Sequence, residues 1–343
     1  AEPISKQLRI SLRTDLDFNR NSTDRSIYNL DTITKTAMYD SLYSAAIFSS
    51  SNTQNLTASL VYNTEKLNIS TGLSTVLQQA VRTLQKEAIR QNLLRYSPSV
   101  NATYNLAKNK MLRANFSGNT IQPTIEQLQP VPDNSNPLYI RLGNPTLRTA
   151  FLQSYSVGYT DNDFSATKQN SFSANLAYSP VSNQIVNAVY YDEFRRQTSR
   201  FINVSGVYTL RGNFALSQAR RQDKKSNEWS AASGFSYGQQ VYFQSNNQYY
   251  SRNYSTSLTM AFAKREMAVR SARYGVSLTT SFNRNWTPAD TRILNTTRLN
   301  IAPQIDAGYS LFDFIYGTAS YKVWYNKLDY HSTLRRNDEY SIH

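Results

Sequence analysis

Tyr254-Ser255-Thr256-Ser257-Leu258-Thr259-Met260-Ala261-Phe262 is the stretch on which the fold turns. Tyr254, Thr256, Leu258, Met260 and Phe262 fall on one side of an extended chain, and Ser255, Ser257, Thr259 and Ala261 on the other. Strand side chains alternate between faces, so this is a strand with one apolar face and one small polar face. The pattern recurs in Tyr274, Val276, Leu278, Thr280 and Phe282, opposed by Gly275, Ser277, Thr279, Ser281 and Asn283. It recurs again in Phe172, Ala174, Leu176 and Tyr178, and in Leu299, Ile301, Ile305, Ala307, Tyr309 and Leu311. Near the start, Ile10, Leu12, Leu16 and Phe18 oppose Arg9, Ser11, Arg13, Asp15 and Asp17. Such runs number roughly 13 to 16, of about 8 to 13 residues each, against a mode of about 5 to 6 for globular strands. A tilted strand needs ~9–11 residues to cross a bilayer. Aromatic residues close both ends of the apolar faces of Tyr254–Phe262 and Tyr274–Phe282. Eight residues at ~3.3 Å each, tilted by ~40°, rise about 20 Å, close to the ~25 Å apolar band of a membrane barrel. The expected fold is therefore all-β, an antiparallel transmembrane β-barrel. The competing fold is a soluble β-sandwich, whose strands also alternate but whose outer faces carry more Lys and Glu.

The composition narrows the function. Of 343 residues, 37 are Lys or Arg and 23 Asp or Glu, a net charge of +14. Mean hydropathy is −0.55, and no run of 18 apolar residues exists, which excludes a helical membrane protein. With 25 Tyr and 13% aromatic residues, the chain is too aromatic to be disordered. Cys is absent, so no disulfide or thiolate metal site can form. No metal or cofactor is expected. There are 2 His, His331 and His343, and neither sits in a recognisable nucleophile–base pattern. The expectation is a non-enzyme, with His331 a polar lumen or loop residue. Basic runs are short: Arg195-Arg196, Arg220-Arg221, Lys224-Lys225 and Arg335-Arg336. A nucleic-acid reader would cluster them on one element. Here they suit solvated rims, contacts to anionic lipopolysaccharide, or a basic path for a solute. Asn246-Asn247-Gln248-Tyr249-Tyr250 and Tyr190-Tyr191-Asp192 read as Tyr/Asn-rich loops, fit for uncharged polar ligands or for an interfacial girdle.

Two segments break the alternation. Val76, Leu77, Ala80, Val81, Leu84 and Ala88 stand near helical spacing, so residues 76–95 fit either a helical insert or a long strand pair. Asn119 to Leu147 holds Pro123, Pro130, Pro132, Pro137 and Pro145, half of the chain's 10 prolines. Proline cannot donate to a ladder, so this is a long loop rather than a central strand. Its Ile121, Ile125, Leu128, Val131, Leu138, Ile140 and Leu142 argue for packing. There is also an internal echo: Pro98-Ser99-Val100-Asn101-Ala102-Thr103-Tyr104-Asn105-Leu106 matches Pro303-Gln304-Ile305-Asp306-Ala307-Gly308-Tyr309-Ser310-Leu311 at Pro, Ala, Tyr and Leu.

The loop segment carries a resemblance. Phe116-Ser117-Gly118-Asn119-Thr120-Ile121-Gln122-Pro123 runs into Gln127-Leu128-Gln129-Pro130-Val131, then Asn136-Pro137-Leu138, then Gly143-Asn144-Pro145-Thr146-Leu147. This resembles the block in TonB-dependent outer-membrane receptors where a strand ends in a Pro-containing loop and restarts at Gly-Asn-Pro-x-Leu. Its wording is similar to the outer-membrane β-barrel subfamily abundant in Bacteroidetes, and Tyr96-Ser97-Pro98-Ser99-Val100 fits as well. The match is specific over residues 96–159, and the strand pattern extends it across residues 1–343. Family members often carry an acidic residue after that block, where this chain has Arg148-Thr149-Ala150. No plug and no TonB-contacting box is visible, and Tyr340-Ser341-Ile342-His343 lacks the usual terminal aromatic, so both ends read as cut.

The resemblance implies part of a barrel of about 22 strands in the outer membrane. It implies import of an unidentified nutrient, with a plug domain and a TonB-type energy-coupling complex as partners alongside outer-membrane lipid and lipopolysaccharide. A self-contained passive channel or surface-anchoring barrel is the alternative, and a soluble adhesion module a third. Short turns, including those near Ala107-Lys108-Asn109 and Phe312-Asp313, would be periplasmic, and the 119–147 loop extracellular. Asn134, Asn136, Tyr139, Arg141 and Asn144 are its candidate ligand-access residues, with Asn136-Pro137 and Asn144-Pro145 equally readable as turn formers.

Overall fold

A computed structural model describes residues 2–334, apart from 26–27, 31–35, 40–44, 85–86, 129–132, 137–138, 166, 192–195, 223–224, 245–246, 267–269, 289–291, 312–314 and 324. The elements begin with β1 (Glu2–Pro3), β2 (Leu8–Arg25), β3 (Tyr28–Leu30), β4 (Ala37–Tyr39), β5 (Ala45–Asn63) and β6 (Leu67–Leu84). Next come β7 (Glu87–Ala107), β8 (Lys110–Ile121), the single helical turn α1 (Ile125–Leu128), β9 (Asp133–Asn136) and β10 (Tyr139–Leu142). They continue with β11 (Ala150–Phe164), β12 (Lys168–Ser182), β13 (Gln184–Tyr191), β14 (Gln197–Val204), β15 (Val207–Gln222) and β16 (Lys225–Gln244). The chain closes with β17 (Asn247–Glu266), β18 (Arg270–Pro288), β19 (Arg292–Leu311), β20 (Ile315–Lys322) and β21 (Tyr325–Leu334).

One antiparallel wall runs β2–β5–β6–β7–β8–β11–β12–β15–β16–β17–β18–β19, and β19 then pairs with both β20 and β21. Counting β20 and β21 as one interrupted strand, the wall falls at the low end of the expected number. The strands are longer than expected. β7 has 21 residues and β16 has 20, so they overshoot an apolar band of ~25 Å.

The described residues of 76–95 form no helix. They divide between β6 and β7, which pair continuously from Leu67↔Tyr104 to Leu84↔Glu87. Helical spacing was a coincidence of a short window; the two strands pair across their hairpin instead. The Tyr/Asn segments are also strand rather than loop: Tyr190 and Tyr191 belong to β13, and Asn247 to Tyr250 to β17. Asp192 and Asn246 lie outside the described residues. His331 is in β21 opposite Asn295, so it is a strand residue and not a loop one.

The echoed prolines explain two irregularities. Pro98 pairs with Leu73 on β6, but the ladder to β8 starts only at Ser99↔Ser117. Pro303 pairs with Leu278 on β18, and on its other side falls in the gap between β20 and β21, where Val323 N–H donates to its carbonyl at 3.1 Å. A residue without an N–H interrupts the ladder it faces. Gly118 lies where a Cβ would strike the Phe151 ring and the Pro98 ring, so close packing there requires glycine.

The wall has no core of its own. Leu12 is 77% exposed and Phe18 71%, while Met260, Phe262, Val276 and Ile305 are about half exposed. The connections at one rim are two to four residues long: 4–7, 64–66, 108–109, 165–167, 223–224, 267–269 and 312–314. The opposite rim carries the long ones, 26–44, 122–149 and 183–206. The turn at Lys108 and the strand ends Leu311 and Ile315 therefore share a rim, away from the Pro-rich loop, while Phe312 and Asp313 themselves lie outside the described residues.

Candidate functional site

The long-loop rim carries a cap built from β9, β10, β13 and β14. In the wall the order is β12–β15–β16. Beyond it, β13 takes the place beside β16, with Ala188↔Phe243 and Val189↔Gln244, and β14 lies outside β13. The two legs of this hairpin thus exchange sides as they leave the wall. The exchange happens at Asn183 (φ 53°) and Gly206 (φ 91°), the positive-φ residues among those described. Asn and Gly tolerate that region best. Side-chain amides hold both points: Asn203 Nδ2 donates to the Asn183 carbonyl and Gln239 Nε2 to the Gly206 carbonyl, each at 2.8 Å. Beneath the hairpin sits a compact apolar cluster of Val204, Val207 and Val241, packed by Val181, Val186, Ile202 and Phe243.

The Pro-rich loop is built into this cap. β10 runs parallel to β14 from Tyr139↔Gln197 to Leu142↔Arg200, and β9 pairs with β10. The Gly143-Asn144-Pro145-Thr146-Leu147 block then closes the loop. Asn144 is 6% exposed. Its Oδ1 accepts from Thr146 N–H at 3.1 Å and Thr146 Oγ1 at 2.7 Å, while Nδ2 donates to the Phe201 carbonyl at 2.8 Å. Its own N–H donates to the Gln127 carbonyl at 2.6 Å. Asn203 returns the contact, accepting from Arg148 N–H at 2.7 Å and donating to the Arg148 carbonyl at 2.8 Å. Two asparagines therefore rivet the end of the loop to β14.

This sorts the candidate residues. Asn144 spends its polar atoms on the fold. Arg141 is exposed on β10. Asn134 and Asn136 lie on β9 and Tyr139 on β10, with Tyr139 opposite Asn136; their strands bring them to one edge of the cap. The hairpin 184–204, which supplies most of the cap, escaped the sequence reading. Asn183 followed by the alternating Gln184–Tyr191 was its available signal.

Below the cap, the polar face of the wall is organised in transverse rows. Strand register aligns Asn115↔Ser156↔Ala177↔Arg211↔Ser236↔Ser255↔Asn283↔Arg298. The next row toward the short turns reads Arg113↔Gly158↔Asn175↔Asn213↔Gly234↔Ser257↔Ser281↔Asn300. Asn115 Nδ2 donates to Ser156 Oγ at 3.1 Å, and Asn300 Nδ2 to Ser281 Oγ at 2.9 Å. Arg113, Arg211 and Arg298 have no acidic partner within ion-pair distance among the described residues. A cavity of about 400 Å³ opens on this face just under the cap, where Ser117, Asn119, Ser154, Thr209 and Gln240 join Leu152, Val181 and Val207 around a mainly apolar surface. Hydroxyls, amides and unpaired guanidinium groups can hydrogen-bond a polar solute and favour a negative one.

A long-stranded antiparallel wall, bare and apolar on one face and polar on the other, defines a membrane β-barrel protein. The sequence matches the model of the outer membrane protein beta-barrel family over residues 1–328, and the chain belongs to that family. Its place is the outer membrane, with the apolar face toward lipid. A comparison with curated proteins finds no match. Among solved structures, Pseudomonas aeruginosa OccK5 (OpdH) aligns with 95% of this chain and 99% of its own, at 9% identity and a TM-score of 0.20. Agreement that low transfers nothing to this chain.

Proposed function

We propose that this chain forms wall and cap of a TonB-dependent outer-membrane transporter for a polar nutrient, with the capped rim outside the cell. The observation that carries this reading is the state of the outermost strands. β2 is laddered to β5 and, at Arg9 and Ile10, to the two-residue β1, and β19 to β20 and β21, but no ladder among the described residues joins β2 to β20 or β21. In lipid each unpaired backbone group costs several kcal/mol, so those edges call for further ladder partners, which a larger barrel supplies. The riveted Pro-rich loop adds a fixed mouth above the polar rows. The plug domain and the energised periplasmic partner belong to the resemblance in residues 96–159. The reading is non-catalytic, on the absence of any His-based pattern in the sequence.

The passive channel remains the second reading, favoured by unpaired arginines at mid-wall, which would also conduct small anions. Growth of cells carrying the full-length gene under nutrient depletion separates the two. A transporter loses uptake when the energy-coupling complex is removed; uptake that persists without it makes the protein a channel. Orientation is tested with Ser135→Cys and an impermeant thiol reagent on intact cells. Labelling only after the membrane is breached would put the cap in the periplasm. Deleting residues 134–142 should lower uptake at normal surface abundance, whereas unchanged uptake would make the loop purely structural.

A further inference from the structure

The lipid-facing side of the wall is bounded by charge at both rims, and the two rims differ. On β17, Lys264 lies at the short-turn end of the apolar stripe and Arg252 at the capped end. About twelve residues at ~3.3 Å and a tilt of ~40° separate them by roughly 30 Å, a hydrocarbon thickness. At the short-turn rim, Lys110 pairs with Asp161 at 3.4 Å, and Lys264 and Lys225 pair with Glu266 at 3.4 and 3.7 Å. Lys168 and Arg220, which face each other there across β12 and β15, have no acid within ion-pair distance among the described residues.

At the capped rim the arrangement is more elaborate. Arg252 is opposite Trp286 and its guanidinium lies over that ring, 5.4 Å from the centroid. Its Nε–H donates to Gln239 Oε1 at 3.1 Å, which fixes the group, and Arg252 is exposed. Arg284 is opposite Tyr254, diagonal to Arg252 and exposed, and no acid lies within ion-pair distance of it among the described residues. Diagonal neighbours on one face stand about 7–8 Å apart, a span two guanidinium groups can close on one phosphate. Asp329, the acid on the same row two strands away, is taken by Lys327 at 3.3 Å. Level with the arginines runs an aromatic belt: Tyr208 shares the row of Arg252, and Tyr178, Tyr237 and Tyr254 share the row of Arg284, with Tyr178–Tyr208 and Tyr208–Tyr237 at 6.0 Å and Tyr254–Phe282 at 6.1 Å. Below that come Leu258, Met260, Val276 and Leu278.

We infer that Arg252 and Arg284 bind the phosphate of an outer-leaflet glycolipid, lipopolysaccharide, whose acyl chains lie along the apolar stripe. A row of guanidinium groups and aromatic rings above an aliphatic surface matches a phosphorylated sugar headgroup above its acyl chains. Arg–phosphate contacts are charge-assisted and bidentate, and an indole under the guanidinium strengthens its placement. The inference rests on the capped rim being the outer one, which labelling at residue 135 tests separately.

The experiment titrates the full-length protein, in a zwitterionic detergent, with three probes read by tryptophan fluorescence and native mass spectrometry. These are lipopolysaccharide, the same lipid after enzymatic dephosphorylation, and phosphatidylglycerol. Dephosphorylation should weaken binding by roughly tenfold or more, as loss of two charged hydrogen bonds implies. R252Q/R284Q should reproduce that loss, R252K/R284K should fall between, and K168Q/R220Q should change binding less than about twofold. Equal binding of the dephosphorylated lipid overturns the inference without any variant. So does a folded R252Q/R284Q that binds as the wild type does. Phosphatidylglycerol binding as tightly as lipopolysaccharide overturns the assignment of the lipid; if residue 135 also labels only from the periplasm, it is the orientation that has failed.

Discussion

The wall and the cap are made of the same kind of alternating sequence and bury it in opposite ways. In β2 the apolar residues Leu12, Leu16 and Phe18 are left bare, whereas in the cap Ala188 and Ser199 are fully covered and Val204 is 5% exposed. The wall strands present one face to lipid, so their apolar side chains need no protein partner. The cap stands beyond the bilayer in water, where an exposed apolar face would be costly. It therefore folds a hairpin and a loop against the strand ends to make the protein's own small core. A strand's alternation says that its faces differ; what covers each face depends on where the strand stands relative to the membrane.

Substitutions can break that contrast. The largest effect is expected from Leu278→Arg, which puts a charge on the lipid face near mid-membrane and should cost ~2–4 kcal/mol in vesicle-folding titrations. Ser277→Arg, one residue away on the polar face, should cost much less, and equal sensitivity would mean the faces are reversed. Asn144→Ala leaves buried partners unmet at Thr146 and Phe201 and should cost about 1–3 kcal/mol. That loss should appear as proteolysis and hydrogen exchange confined to residues 122–149 and 184–206, with the wall unaffected; global unfolding would show that cap and wall are one cooperative unit. Gly206→Ala has room, since its nearest neighbour would be 3.5 Å away at Tyr250. Its φ of 91° is the obstacle, so about 1 kcal/mol should be lost from the cap alone. Lys264→Ala removes a partner from an ion pair in which both side chains are well exposed. The change should be under about 1 kcal/mol and vanish in high salt; a larger one would mean that the short-turn rim is more dehydrated than its exposure indicates.

Much of the architecture was readable in advance. Tyr254–Phe262 and Tyr274–Phe282 are paired wall strands, with Phe262↔Val276 and Thr256↔Phe282 in register. Ambiguity arose where a short window satisfied two periods, as in residues 76–95, and where Tyr and Asn suggested loops that proved to be strand ends. At the rim, the motif around Asn144 was legible as a motif, but its physical task was not. That task depends on Phe201 and Asn203, more than fifty residues downstream, and on a hairpin whose legs change places.

The sequence by itself determined the two-faced strands, the lipid-side aromatic ends, the Pro-rich break and the family, because alternation and proline chemistry are local properties of the chain. Only the tertiary structure decided which rim carries the cap, that the Pro-rich loop becomes a strand of it, that prolines 98 and 303 fall at ladder breaks, and that Arg252 and Arg284 become diagonal neighbours within an aromatic belt. Those outcomes depend on register between distant strands, and register is set by the sum of many pairings along the whole wall rather than by any one segment.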